Sequence, residues 1–349
     1  MNMQHTKEHY GSLDGIRAYA ATGIVLMHVL ENSKVRPSGN FFTSDLIPFF
    51  NSFVFLFMMV SGFSLCCGYY DRIKNGCITP GQFYKKRYAR ILPFFAILCL
   101  IDLCVEPSVA TLFETFANLT LCFGLLPSSV EIHVIGVGWF LGVVFLFYML
   151  FPFFVFLLDN RRRAWFSLLV AMGLSYVVCA YFPVEQRHKC MLFCAPYFLV
   201  GGIVYLYRVK IRIAIRANKF TVAAVCIAVT VGYLLVQEYF LSLFARQVAL
   251  IVLFLCWLAS AISMKPKGLN NKVVAYLSGL SMEIYLAHML VFRVVEKLNV
   301  EIFIHQPDIL YLANAALTLL GAVAFAHVVK RYVLPMVEWG CKSHLGIGS

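Results

Sequence analysis

Charge is what this sequence has least of. Only 13% of its 349 residues are charged, against roughly 25% in soluble globular chains. Together with 61% hydrophobic residues and a mean hydropathy of +0.80, that scarcity excludes an ordinary water-soluble protein and places the chain in a bilayer. Acidic residues are the scarcer sign, 17 against 29 lysines and arginines, for a formal charge of +12. The excess invites a nucleic-acid reading, but no basic helix or aromatic RNA-binding signature supports one, and the basic residues fall between apolar stretches. No nucleic-acid partner is expected. The twelve cysteines include no C-x-x-C pair and lie mostly within apolar runs, which argues against a disulfide framework or a zinc site. Cys190 and Cys194, one turn apart, are read as packing residues, and no metal is assigned. Also missing are a fixed-period repeat and a low-complexity linker, and no appended soluble domain is expected after the last apolar run. The first apolar run follows a polar N-terminus and holds Asp14 and Arg17, so it reads as a retained helix rather than a cleaved signal.

What the sequence has in quantity is apolar runs. A window of about twenty residues gives ten candidate spans, approximately 12–31, 46–67, 91–106, 138–158, 164–182, 191–207, 220–237, 247–264, 273–292 and 308–329. The expected fold is all-α: one polytopic integral membrane bundle of about ten transmembrane helices, a single domain over residues 1–349. With the N-terminus cytoplasmic, the inner segments hold Lys7, the basic residues from Arg72 to Arg90, Arg161 to Arg163, the run "RVKIRIAIRANK", Lys265, Lys267, Lys272, Lys330, Arg331 and Lys342, 21 in all against 7 outside. That asymmetry sets both termini inside. The longest outer segment, 107–137, has no lysine or arginine; its "TLFETFANLTLCFGLL" reads as a helix lying in the interface or dipping into the membrane.

The first span, "LDGIRAYAATGIVLMHVL", carries three groups that hydrocarbon penalises. Eleven steps from Arg17 to His28 make about three helical turns, so both project from nearly one face about 16 Å apart along the axis. Asp14, three residues before Arg17, is its neighbour on the helix surface and can pair with the guanidinium. The alternative is that Asp14 and Arg17 end the helix at headgroup level while His28 satisfies a hydrogen bond within the bundle. The second span closes on "VSGF", where Ser61 and Gly62 permit close helix contact. It runs into a basic loop finishing "FYKKRYARILPFF", in which Arg87 and Arg90 stand one turn apart. Their forked donors suit a phosphate; anchoring by the positive-inside rule is the competing explanation.

These elements resemble the membrane-bound acyltransferase-3 family. "LDGIRA" followed by His28, "VSGF", "RYARILPFF", the tryptophan-bearing "GWFLGVVFLFYMLFP", "YFLVGGIVYLY" and the late "LSGLSMEIYLAHMLV" come in that family's order and cover most of the chain. The resemblance implies an enzyme moving acyl groups, most often acetyl, onto carbohydrates and related acceptors. It implies that Arg17 and His28 are the family's essential pair, that Arg87 and Arg90, with Arg17, bind the phosphates of acetyl-CoA as acyl donor, and that His288 is the late histidine, orienting His28, binding the sugar or packing. Asp14 enters the catalytic set as partner of Arg17. Trp139, Tyr148 and Tyr285 are candidates to stack on a sugar or adenine ring, with packing as the alternative. One departure stands out: the glutamate that many members carry after the tryptophan is absent, since Phe140, Leu141, Gly142, Val143 and Val144 follow Trp139. The secreted esterase-like domain of some members is not expected either, so transfer ends in the membrane domain or needs a separate partner.

On that reading His28 is a general base on the acceptor hydroxyl or, alternatively, a nucleophile forming a transient acyl-imidazole. The expected partners are an acyl-CoA donor, a carbohydrate or lipid-linked glycan acceptor and the lipid bilayer. The expected location is a bacterial inner membrane. Nothing in the sequence sets an oligomeric state. Composition alone is equally compatible with a transporter or flippase, or with a scaffold lacking turnover, in which Arg17 and His28 would be dispensable.

Overall fold

The computed structural model describes residues 10–121, 123–125, 137–183, 187–240 and 242–336. Among them every regular element is helical. Among the described residues nine helices are long and apolar enough to cross a membrane: α1 (Gly11–Asn32), α2 (Phe42–Lys74), α3 (Pro80–Val105), α5 (Trp139–Leu157), α6 (Arg161–Tyr181), α7 (Met191–Ala217), α8 (Lys219–Tyr239), α9 (Leu243–Met264) and α12 (Pro307–Met336). Between them lie α4 (Val109–Leu119), α10 (Lys272–Gly279) and α11 (Ser281–Lys297). Taken as one broken span, α10 and α11 make a tenth. This is an all-α, multi-pass membrane protein.

Helix ends follow capping chemistry more closely than hydropathy. The apolar run of α3 begins near residue 91, but the helix starts at Pro80 because Thr79 to Gln82 form a capping box. Thr79 Oγ1 accepts from the Gln82 amide at 3.2 Å, and Gln82 Oε1 accepts from the Thr79 amide at 3.1 Å, with Pro at the first helical position. Arg87 and Arg90, read from the sequence as ending a basic loop, therefore ride on a helix. Asn160 does the same for α6, its side chain accepting from the Arg163 amide at 2.9 Å, so the three arginines 161–163 form a first turn. The basic run after residue 207 continues α7 to Ala217. In the outer segment, Ser108 caps α4 by accepting from the Thr111 amide at 3.0 Å; residues 122 and 126–136 of that segment lie outside the described residues, as do Lys7 and Lys342. The ninth span is not continuous: it breaks at Leu280.

The chain divides into two compact units, one from the described residues of 1–20, 49–84 and 143–278, the other from those of 21–48, 85–142 and 279–349. In the first, α7 is the central helix and packs on α2, α6 and α9. Apolar burial drives little helix association in lipid, so close packing must hold these helices together. The closest approach is glycine on backbone. A Cβ at Gly62 would collide with the Phe198 carbonyl, and one at Gly201 with the Met59 carbonyl. Around that crossing Phe147 stacks on Phe198 at 3.8 Å and Phe55 on Tyr197 at 4.8 Å. A buried polar relay ties three helices: Ser175 donates to Gln247 Oε1 and Gln247 Nε2 to the Phe193 carbonyl, both at 2.7 Å. The outer faces of α6 and α8 expose Phe166, Leu169, Ile227 and Leu235, as lipid-facing surface should. At the basic ends, Arg208 lies 4.0 Å over Tyr205, whose hydroxyl donates to Asp71 at 2.9 Å. Lys74 meets Asp159 at 2.8 Å, and that hydrogen bond, with the charges of Lys74 and Arg163, holds the Asp159 carboxyl below its ordinary range.

In the second unit α11 packs along α12, with a Cβ at Gly321 blocked by Val291. Phe94 meets Phe325 edge-on at 6.1 Å. The Tyr311 hydroxyl donates to the Leu26 carbonyl at 3.1 Å, fixing α12 against the second half of α1.

Candidate active site

The candidate residues fall in both units: Asp14 and Arg17 in the first, His28, His288, Arg87 and Arg90 in the second. In the first unit the "LDGIRA" segment opens α1. Gly15 is required there by sterics, because a Cβ would fall 2.6 Å from the Leu269 backbone. That close approach brings the loop after α9 onto the helix. Asn270 Nδ2 donates to Ser12 Oγ at 2.7 Å, and Ser278 Oγ donates to Asp14 Oδ1 at 3.2 Å. Arg17 donates through Nη1 to Asp14 Oδ1 at 3.2 Å and through Nη2 to Ser64 Oγ at 2.6 Å. The expected Asp14–Arg17 pair is thus present, and its side chains retain 21% and 27% of their surface. An open cleft of about 450 Å³ lined by Gly11, Asp14, Lys265, Asn270, Asn271 and Lys272 leads to Asp14. Its rim is cationic and rich in amides, which suits an anionic group.

In the second unit α1 continues to His28, and α11 carries His288. The two imidazoles are neighbours, ring centroids 5.2 Å apart and tilted by 35°. His28 is half-buried and His288 has no exposed surface. His288 Nδ1 lies 2.6 Å from the Tyr285 carbonyl oxygen. A carbonyl only accepts, so Nδ1 carries the hydrogen and Nε2 keeps the lone pair. Tyr285 is itself tied down, donating to the Val137 carbonyl at 3.0 Å and meeting Phe140 edge-on at 5.0 Å, contacts that give its ring a structural role. Trp139 packs on Phe140 at 6.3 Å. On α3, Arg87 is half-buried and Arg90 exposed, one turn apart.

Sequence reading missed four polar residues at these clusters. Ser64 and Ser278 hold Arg17 and Asp14. Glu283, five residues before His288, is buried and paired with Lys330 at 2.8 Å, and Lys330 also donates to the Gly279 carbonyl at 2.7 Å. The ammonium therefore satisfies both the carboxylate and a carbonyl released where the ninth span breaks. A signal was available: an acid within an apolar run needs a cation, and Lys330 is the first one after the last run.

Comparison with known proteins supplies the class. "Protein 2 in picA locus" of Rhizobium radiobacter is 34% identical over 94 residues, 27% of this chain and 44% of that relative, so the chain matches less than half of the relative's length. No solved structure matches the chain. A family model described as an acyltransferase domain matches residues 10–329, a stretch that takes in Asp14, Arg17, His28, Arg87, Arg90 and His288. This chain, helical, multi-pass and matched almost end to end, belongs to the acyltransferase-3 family of membrane acyltransferases.

Proposed function

We propose that the protein transfers an acetyl group from cytoplasmic acetyl-CoA to a hydroxyl of a carbohydrate or lipid-linked glycan at the membrane. The observation that carries this reading is the family match over residues 10–329, with a half-buried histidine, His28, held beside a second histidine. The basic ends of the helices support a cytoplasmic placement of both termini, and the bacterial source of the matched relative supports a bacterial inner membrane.

The roles follow from chemistry. Arg87 and Arg90 offer the donor's phosphates forked, charge-assisted bonds, and the Arg17 guanidinium offers the same chemistry. Asp14 and Ser64 fix the Arg17 guanidinium in place. His28 takes the proton of the acceptor hydroxyl as oxygen attacks the thioester carbon. The C–O bond forms, the C–S bond breaks, and the proton passes from His28 to the leaving thiolate. Such a base contributes typically about 10²–10⁴-fold.

The test is binding and turnover of radiolabelled acetyl-CoA by the purified protein in nanodiscs, with release of free coenzyme A as readout. Wild type is expected to release coenzyme A, His28→Ala to bind donor with turnover down about 10²–10⁴-fold, and Arg90→Ala to bind donor poorly. A radiolabelled acetyl group retained on wild type after denaturation would replace the general base by an acyl-imidazole. Absence of donor binding by all three proteins would overturn the reading and favour a transporter or flippase of a glycan or small metabolite.

A further inference from the structure

We propose that His288 is a positioning residue for His28: its Nε2 accepts the hydrogen of one His28 ring nitrogen and so leaves the other free to act as base. This rests on the acyl-transfer reading above. Three observations within the second unit carry it. The Tyr285 carbonyl 2.6 Å from Nδ1 fixes the tautomer, since that nitrogen must donate. The Nε2 that remains is a buried acceptor with no hydrogen-bond partner among the described residues. An orphaned buried acceptor is costly and calls for a reason. Finally, the neighbouring imidazole is His28, its ring centroid 5.2 Å from that of His288, and that ring also makes no side-chain hydrogen bond to the described residues.

Exposure decides what His288 can meet. At 0% exposure it is shut off from sugar and thioester alike, whereas half-buried His28 keeps exposed surface while lying beside His288. A turn of the His28 ring closes an N–H···N bond between them. His28 is then held in one tautomer, with its lone pair directed away from His288. When that lone pair takes the hydroxyl proton, the resulting imidazolium keeps its bond to His288 Nε2, and the proton leaves with the thiol. His288 itself neither gains nor loses a proton. Its part is that of the acceptor which orients a catalytic imidazole, here filled by a second histidine on α11.

The experiment has two arms. In protein labelled with ¹⁵N-histidine and held in nanodiscs, His288, assigned by its loss in His288→Gln, is expected to be neutral with the proton on Nδ1. A proton on Nε2 would overturn the proposal without reference to activity. In the kinetic arm His288→Gln, which places a carboxamide oxygen near the Nε2 position, is compared with His288→Leu, which offers no acceptor. Coenzyme A release by His288→Leu should fall about 10–100-fold, the scale seen when a partner that fixes a histidine tautomer is removed. His288→Gln should recover most of it, with KM for acetyl-CoA unchanged in both. Equal losses in the two variants, or a loss confined to KM, would sink the positioning role. If wild type releases no coenzyme A from acetyl-CoA, the acyl-transfer reading fails while the spectroscopic arm still decides the tautomer.

Discussion

Arg17 divides one guanidinium between two acceptors, Asp14 at 3.2 Å and Ser64 at 2.6 Å. A planar fork holds both partners in one fixed geometry; an ammonium is a compact charge on a flexible stem whose three donors are not set in that geometry. Arg17→Lys is therefore expected to resemble Arg17→Ala, with coenzyme A release from acetyl-CoA reduced about tenfold or more, since each charge-assisted bond is worth about 1.5–3 kcal/mol. Release at the wild-type rate by Arg17→Lys would mean that positive charge alone suffices. Part of this arrangement was legible in the sequence. The three-residue interval from Asp14 to Arg17 fixes their adjacency on any helix, and the Arg87–Arg90 interval does the same. Ser64 and Ser278 were not legible, because a serine in an apolar run gives no sign of which neighbour its hydroxyl will meet.

Among the helices, the crossing of α2 and α7 is where sequence and packing meet most directly. The "VSGF" and "YFLVGGIVYLY" segments stand out in the sequence for their small residues, and the structure sets them against each other through Gly62 and Gly201. Gly201→Leu must push α7 off the Met59 carbonyl, and overpacking of this kind costs typically about 1–3 kcal/mol, occasionally more. The expected outcome is a lower melting temperature in detergent and a smaller monodisperse fraction on size exclusion. Gly173→Ala and Gly232→Ala are the controls: both sit within helices with open space at the Cβ position, so each should be neutral or stabilising by up to about 1 kcal/mol. Equal destabilisation by all three would show that the glycines matter for backbone flexibility and not for close approach. The capping box at Thr79 teaches a related lesson. It is readable from four residues, yet a hydropathy window starts the span eleven residues late because polar and basic helical turns carry no hydrophobic signal.

The whole molecule is oriented by charge. With 21 lysines and arginines on one set of connections and helix ends against 7 on the other, the positive-inside rule predicts a cytoplasmic turn between α2 and α3. In variants retaining a single cysteine, a membrane-impermeant maleimide applied to intact spheroplasts should label Lys34→Cys and leave the exposed Cys77 unlabelled until the membrane is permeabilised. The reverse pattern would overturn the proposed topology.

Composition and spacing alone determined that this chain is a helical membrane protein, approximately where its spans lie, and which residues within one helix are neighbours. Those properties depend on segment length, local hydropathy and a fixed helical period, all of them local. The family resemblance singled out His28 and His288 as separate points. Only tertiary structure decided that they share one contact, that the second histidine keeps a buried ring nitrogen with no hydrogen-bond partner among the described residues, that Lys330 reaches both Glu283 and the carbonyl at the break, and that Gly15 exists to admit Leu269. Each of these joins residues far apart in sequence, and long-range pairing is set by which faces pack together.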